Sequence, residues 1–155
     1  MSLKGQVCII TGGGSGIGRD AALLMASDGA TIVLVGRTEA KIEAVKAEIE
    51  SDGGSATTYA LSVADYAAVC QMVDEVTQTY GQIDILVNNV AVSDNRNILE
   101  ITKEEWDRTI SVTLTAPFLM TKFAALQMVE QGSGGNIVNI GSTSGHRGRA
   151  RAVAY

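Results

Sequence analysis

The sequence predicts an α/β fold: a doubly wound parallel sheet covered on both faces by helices, in three layers. Three observations predict it. Short apolar, β-branched runs alternate with longer segments of helical periodicity along all 155 residues. The first such run, Val7-Cys8-Ile9-Ile10, enters a glycine turn, Thr11-Gly12-Gly13-Gly14-Ser15-Gly16-Ile17-Gly18, and leaves it as a helix carrying Ala21, Ala22, Leu24 and Met25. The alternation persists to a fifth run at Asn136–Ile140, and strands joined through helices lie parallel with right-handed crossovers.

The elements follow in order. Strand one is Gln6–Ile10, and helix one is Ile17–Ser27, ended by Asp28-Gly29. Strand two is Thr31–Val35. Helix two spans Thr38–Ser51 with Ile42, Val45 and Ile49 on one face, and Asp52-Gly53-Gly54 breaks it. A short strand at Ala56–Ala60 precedes helix three, which Asp65 caps and whose buried stripe is Val69, Met72, Val73, Val76 and Tyr80. Strand four is Ile83–Val87. Thr102-Lys103-Glu104-Glu105 is a capping box opening a long helix with Trp106, Ile110, Leu114, Phe118 and Met128, kinked at Pro117. Strand five is Asn136–Ile140.

Composition narrows the function classes. Apolar residues make up 46 %, which excludes a disordered chain. A net charge of −5 and a pI near 4.8 argue against a nucleic-acid partner held on a basic face. No apolar run approaches the roughly 20 residues of a membrane span, so no membrane partner is expected. The first strand starts too close to Met1 to leave room for a signal peptide. Cys8 and Cys70 sit on a strand and a helix, as small core residues rather than a disulfide. These features point to a cytoplasmic protein of one domain, 1–155, without repeats or linkers.

In such a sheet a ligand lies beyond the carboxyl ends of the strands, where strand order reverses. The residues after each strand are therefore the candidates. Glycines in the 11–18 turn let the backbone approach an anion closely, and the helix that follows aims free N–H groups at it. Gly36 and Arg37 follow strand two; Asn88, Asn89, Val90 and Ala91 follow strand four; Gly141, Ser142, Thr143 and Ser144 follow strand five. A serine-hydrolase triad does not fit, because His146 is the single histidine and no Gly-x-Ser-x-Gly elbow occurs. A methyltransferase would place an acid at the end of strand two, where Gly36-Arg37 stand. No metal site is expected.

Four motifs in order carry a resemblance: Thr-Gly-x-x-x-Gly-x-Gly at 11–18, Asn88-Asn89, Ser142 after Asn136-Ile137-Val138-Asn139-Ile140, and Tyr155 thirteen residues beyond that serine. Together they resemble the short-chain dehydrogenase/reductase family over the whole chain. The resemblance implies a Rossmann-type fold, a nicotinamide cofactor, and hydride transfer between it and a carbonyl or secondary alcohol. It implies that Tyr155 exchanges a proton with the substrate oxygen, that Ser142 orients that oxygen, and that Thr113 stands where the family has a water-holding asparagine. Cofactor contacts fall on Thr11, Gly12, Gly14, Ser15, Gly16, Ile17, Gly18, Arg37, Ser62, Val63, Asn89, Val90, Ala91 and Tyr155. The nearest likeness is to 3-oxoacyl-carrier reductases and secondary-alcohol dehydrogenases; a catalytically silent dinucleotide sensor is the alternative. A longer form is expected to be a homodimer or homotetramer.

The sequence departs from the family in places. Val90-Ala91 replaces the usual Ala-Gly after the paired asparagines, and Ser62 stands where an aspartate near the adenine is common. Arg37, with no acid beside it, favours NADP(H) over NAD(H), since a guanidinium pairs bidentately with a 2′-phosphate. His146, Arg147, Arg149 and Arg151 are either a solvated loop or a device favouring an anionic substrate. Ionising a phenol of ordinary pKa near neutral pH requires about 4 kcal/mol, which a cation about 4 Å away supplies at an effective dielectric of about 20. The family's lysine for this role, four residues after the tyrosine, has no counterpart in these 155 residues. The expectation is therefore a domain truncated at its C-terminal end, inactive alone, with a helix just begun at Ala152-Val153-Ala154 and apolar strand five exposed.

Overall fold

The computed structural model describes residues 2–155, arranged as β1 (Val7–Thr11), α1 (Gly16–Ser27), β2 (Thr31–Gly36), α2 (Glu39–Ser51), β3 (Ser55–Ala60), α3 (Tyr66–Tyr80), β4 (Ile85–Asn88), α4 (Lys103–Ile110), α5 (Ala116–Glu130) and β5 (Asn136–Asn139). The five strands form one parallel sheet in the order β3-β2-β1-β4-β5. The doubly wound α/β expectation is met, and strand order reverses between β1 and β4.

Alternation along the strands builds two cores. Val7 and Ile9 of β1, Val33 and Val35 of β2 and Leu86 of β4 face one side, with Val69, Met72 and Val76 of α3 and Met120, Ala124 and Met128 of α5. Cys8, Ile10, Ile32, Leu34, Ile85 and Val87 face the other, with Ala22 and Ala26 of α1 and Ile42, Val45 and Ile49 of α2. Each central strand is thus buried on both faces, which is why these runs are continuously apolar.

Four expectations need correction. β4 begins at Ile85, not Ile83, because the Gln131 side-chain amide takes the Ile83 backbone, accepting its N–H at 3.0 Å and donating to its carbonyl at 2.9 Å. At its other end β4 runs to Asn88, in register with Asn139. The long helix is interrupted by a π-helical turn at Ser111–Thr115, directly before Ala116-Pro117. Pro117 lacks an N–H and its ring would press on the carbonyl four residues back, so the wider turn falls where the proline demands it. The extra residue in that turn rotates the helix face by about 100°. Leu114 (65 % exposed) and Phe118 (61 %) point outward, as does Trp106 (42 %) ahead of the turn, while Ala116, Met120, Ala124 and Met128 are buried. The continuous helical stretch Lys103–Glu130 is, by length and composition, apolar enough to cross a membrane, contrary to the reading of the sequence. Finally, residues 152–154 do not begin a helix: Ala152 has φ 132°, outside the helical region.

β5 is an edge strand, as expected. Ile137 packs on the core, whereas Val138 (45 % exposed) and Ile140 (40 %) do not.

Candidate active site

The glycine turn sits at the switch point and is fixed from both sides. The Gly12 N–H donates to the Val35 carbonyl at 2.7 Å, continuing the β1–β2 pairing one residue past the strand. Gly12 has φ +69°, and a Cβ there would meet Asn89 Nδ2 at 2.9 Å and Val90 Cγ2 at 3.1 Å. A Cβ on Gly18 would lie 2.4 Å from the Gly12 carbonyl oxygen. These two glycines are required by close approach of the first turn of α1 to the turn and to the end of β4.

α1 starts at Gly16 with Ser15 as its N-cap, and the Ser15 side chain makes no capping hydrogen bond. The first N–H groups of a twelve-residue helix and a free hydroxyl are thus left for a ligand. Gly16 has φ +53° and nothing within 4 Å of a Cβ position, so this side of the turn is open.

Two cavities occupy the carboxyl ends of the strands. The first, about 280 Å³, lies over the glycine turn and the ends of β2 and β3. Of the residues expected to hold a cofactor, it brings together Gly12, Gly14, Ser15, Arg37, Ser62, Val63, Asn89, Val90 and Ala91. The second, about 470 Å³, lies over β4, β5 and α5 and is lined by Ser142, Tyr155 and Thr113. Val90 and Ala91 line both, so the cavities adjoin.

Four expected contacts stand apart. Thr11 is buried and acts behind the site: its hydroxyl donates to the Val87 carbonyl and accepts the N–H groups of Asn89 and Val90. Gly18 is a packing position, as above. Gly16 and Ile17 begin the helix, Ile17 exposed, but neither lines a cavity.

The structure also adds residues. Thr38, the N-cap of α2, likewise makes no side-chain cap bond and lines the first cavity with Lys41. Among the described residues, neither Arg37 nor Lys41 makes a salt bridge, whereas Arg19, Lys46, Arg96, Lys103 and Arg151 all do. Two unpaired cations thus face one end of the cavity. The signal for Lys41 was its place one turn inside the helix after Arg37. Asn88, 95 % buried by a relative exposure of 5 %, floors the second cavity; its Nδ2 donates to Thr121 Oγ1 at 3.1 Å and to Asn139 Oδ1 at 2.9 Å.

Thr113 stands in the π turn. Its hydroxyl donates to the Val92 carbonyl at 3.0 Å and accepts the Val92 N–H at 3.1 Å. Its one proton is therefore engaged, and only a lone pair remains for water. Ser142 is exposed; its hydroxyl accepts the Ser144 N–H at 3.2 Å, closing a single 3₁₀ turn at Thr143–Gly145. Tyr155 is half-buried against the second cavity.

The residues fit a dinucleotide. The glycine cradle would be filled by side chains, the helix start is uncapped, and the unpaired Arg37 and Lys41 lie at the far end of the same cavity. Such a ligand would lie against Gly12, Gly14 and Ser15 with its phosphates and reach past Val90 and Ala91 toward Ser142 and Tyr155.

Comparison with known proteins agrees. Among curated relatives, the chain is 35 % identical over 155 residues to the 3-oxoacyl-(acyl-carrier-protein) reductase FabG of Thermotoga maritima, covering all of this chain and 63 % of that protein. It is 36 % identical over 155 residues to a sorbitol dehydrogenase of Cereibacter sphaeroides, covering 59 % of it. The chain therefore spans about 60 % of the length of these relatives. A metagenomic short-chain oxidoreductase solved in complex with NADP superposes with a TM-score of 0.95 at 35 % identity, covering 100 % of this chain and 70 % of that one. An NAD+-bound xylitol dehydrogenase superposes at 0.94 with 30 % identity, covering 100 % of this chain and 60 % of that one. The short chain dehydrogenase family model matches residues 6–155, and this chain belongs to that family.

Proposed function

We propose that the protein is an NADP(H)-preferring oxidoreductase acting between a carbonyl and a secondary alcohol. One observation carries this reading: the cavity holding the glycine turn and the cavity holding Ser142 and Tyr155 adjoin at Val90 and Ala91. A dinucleotide seated in the first would present its reactive end in the second.

The cofactor supplies or accepts the hydride; the chain's residues do the rest. Backbone N–H groups at the start of α1 and the Ser15 hydroxyl hold the phosphates. Arg37 and Lys41 bind a 2′-phosphate by charge-assisted hydrogen bonds, which NADH cannot offer. Val90 packs over Gly12 and shapes the wall between the two cavities. The Ser142 hydroxyl bonds the substrate oxygen and orients it, and the Tyr155 hydroxyl gives or takes the proton at that oxygen. FabG and sorbitol dehydrogenase among the relatives frame the substrate panel: a 3-oxoacyl thioester and a polyol.

Fluorescence titration of NADPH and NADH into the protein tests the reading. NADPH is expected to bind more tightly, and Arg37→Ala to weaken it roughly ten- to hundredfold, the equivalent of about 1.5–3 kcal/mol, while NADH is little changed. Lys41→Ala should act in the same direction. Absence of binding by either nicotinamide would overturn the proposal. Hydride transfer is followed by nicotinamide absorbance with each substrate class. Turnover that survived Tyr155→Phe would remove the assigned proton donor.

A further inference from the structure

Asp94 follows the paired asparagines in the loop between β4 and α4, and it touches the segment that ends in Tyr155. Its Oδ2 accepts the Ala154 N–H at 3.3 Å. Two residues along, the Arg96 carbonyl accepts the Ala152 N–H at 2.9 Å, so the two segments run antiparallel to one another. Arg151 pairs with Glu100 at 3.2 Å on the same seam. The loop is itself anchored, because Arg96 also pairs at 3.0 Å with Glu105, the acid of the α4 capping box.

Both segments carry unfavourable backbone. Asn95 has φ 51° and Ala152 has φ 132°. The first is tolerated by asparagine; the second is rare for any residue with a Cβ and persists only where surrounding contacts over-determine it. Asp94 shows a related cost: its Oδ1 is buried with no hydrogen-bond partner among the described residues. A carboxylate that served only as a surface charge would turn both oxygens to water. Here one oxygen is given up while the other reaches the peptide next to Tyr155.

We propose that Asp94 is a positioning residue for Tyr155: through the Ala154 N–H it fixes where the phenol meets the second cavity. The importance of that placement rests on the reading of Tyr155 as the proton-exchanging group. A 1 Å displacement of such a group is enough to impair catalysis, so holding the adjoining peptide matters more than the modest strength of one hydrogen bond.

Two measurements on the whole chain test this. In the unaltered protein, the amides of Ala152 and Ala154 are expected to exchange with solvent about tenfold or more slowly than that of Gly148. With tyrosine ring carbons labelled, the Tyr155 resonance is assigned from Tyr155→Phe. Asp94→Ala should move that resonance toward its position in the denatured chain and remove the Ala154 protection. The resonances of Tyr59, Tyr66 and Tyr80 should stay in place and report an intact fold. Asp94→Asn keeps an acceptor oxygen and should restore both signals. Unprotected Ala154 in the unaltered protein, an unmoved Tyr155 in a folded Asp94→Ala, or an Asn variant indistinguishable from Ala would each overturn the proposal. If Asp94→Ala does not fold, the exchange rates of the unaltered protein decide. Nicotinamide binding is read separately, so loss of the oxidoreductase reading and loss of the Asp94 tether give different results.

Discussion

Thr11 and Asn89 hold each other across the switch point. The Asn89 N–H donates to the Thr11 hydroxyl at 2.9 Å, and Asn89 Nδ2 donates back to the Thr11 carbonyl at 3.0 Å. The same hydroxyl accepts from Val90 N–H at 3.2 Å and donates to the Val87 carbonyl at 3.3 Å. The glycine turn and the end of β4 are therefore one rigid piece, and the wall shared by the two cavities hangs from it.

Thr11→Val keeps the shape and removes the hydroxyl. Thr11 is 2 % exposed, so the Asn89 and Val90 N–H groups would lose a buried acceptor. The expected cost is about 1–3 kcal/mol, seen as a lower melting temperature by about 2–4 °C per kcal/mol. Thr11→Ser, which keeps the hydroxyl, should recover most of it. Thermal unfolding followed by circular dichroism checks both; equal melting points for Val and the parent would show that the hydroxyl holds nothing.

Two glycines of this sequence are expected to respond oppositely to alanine. At Gly18 a Cβ would lie 2.4 Å from the Gly12 carbonyl oxygen and 2.7 Å from Asn89 Nδ2, with no open direction. Gly18→Ala should therefore cost about 1–3 kcal/mol by overpacking and weaken nicotinamide binding, since Gly12 must shift. Gly148 has nothing within 4 Å of a Cβ position, so Gly148→Ala should be near neutral. Denaturant melts of the two variants separate a packing requirement from a mere preference for glycine.

How far the sequence carried the reading depends on what each feature needs. The sheet and the glycine turn were legible because they are local: β-branched runs, turn residues and helical spacing are adjacent in the chain. Ile83 was read as strand because it is apolar and buried, yet Gln131, forty-eight residues away, takes its backbone groups. Trp106, Ile110, Leu114 and Phe118 share an i, i+4 spacing, but a π turn at Ser111–Thr115 shifts the face presented beyond it relative to Trp106 and Ile110, and no spacing rule contains that extra residue. Ser142 and Tyr155 were legible as a pair, whereas their meeting in one cavity with Asn88 and Thr121 depends on β4, β5 and α5 coming together. Lys41 was missed because it reads as an ordinary surface lysine until the cavity wall is seen.

Cys8 gives a pH-dependent test of the core. Burial, reinforced by the Asp84 carboxylate, pushes its thiol up to about 12 from an ordinary 9.0. A raised acid favours the folded state fully below its unfolded value and loses that contribution as pH rises from there toward the folded value. Stability should therefore fall between about pH 9 and 12, and less so in Cys8→Ala at matched pH. In the native protein an alkylating reagent at mild alkaline pH should label the half-buried Cys70 first and Cys8 only on unfolding. Equal labelling rates would mean that β1 opens readily.

The π turn offers the last test, because it joins the irregular helix to the cavity wall through one side chain. Thr113 spans the gap to Val92 with two hydrogen bonds, 3.0 and 3.1 Å, that fix the loop following the paired asparagines. With its proton engaged there, Thr113 acts chiefly as a strap. Thr113→Val removes both bonds at constant shape. Amide exchange at Val92 should then rise about tenfold or more, and nicotinamide affinity should fall, since Val90 and Ala91 shape the wall between the cavities. Thr113→Ser keeps the hydroxyl and should behave like the parent. If instead Val92 exchange were unchanged in Thr113→Val while affinity fell, the hydroxyl would be acting on a bound water or ligand rather than on the loop.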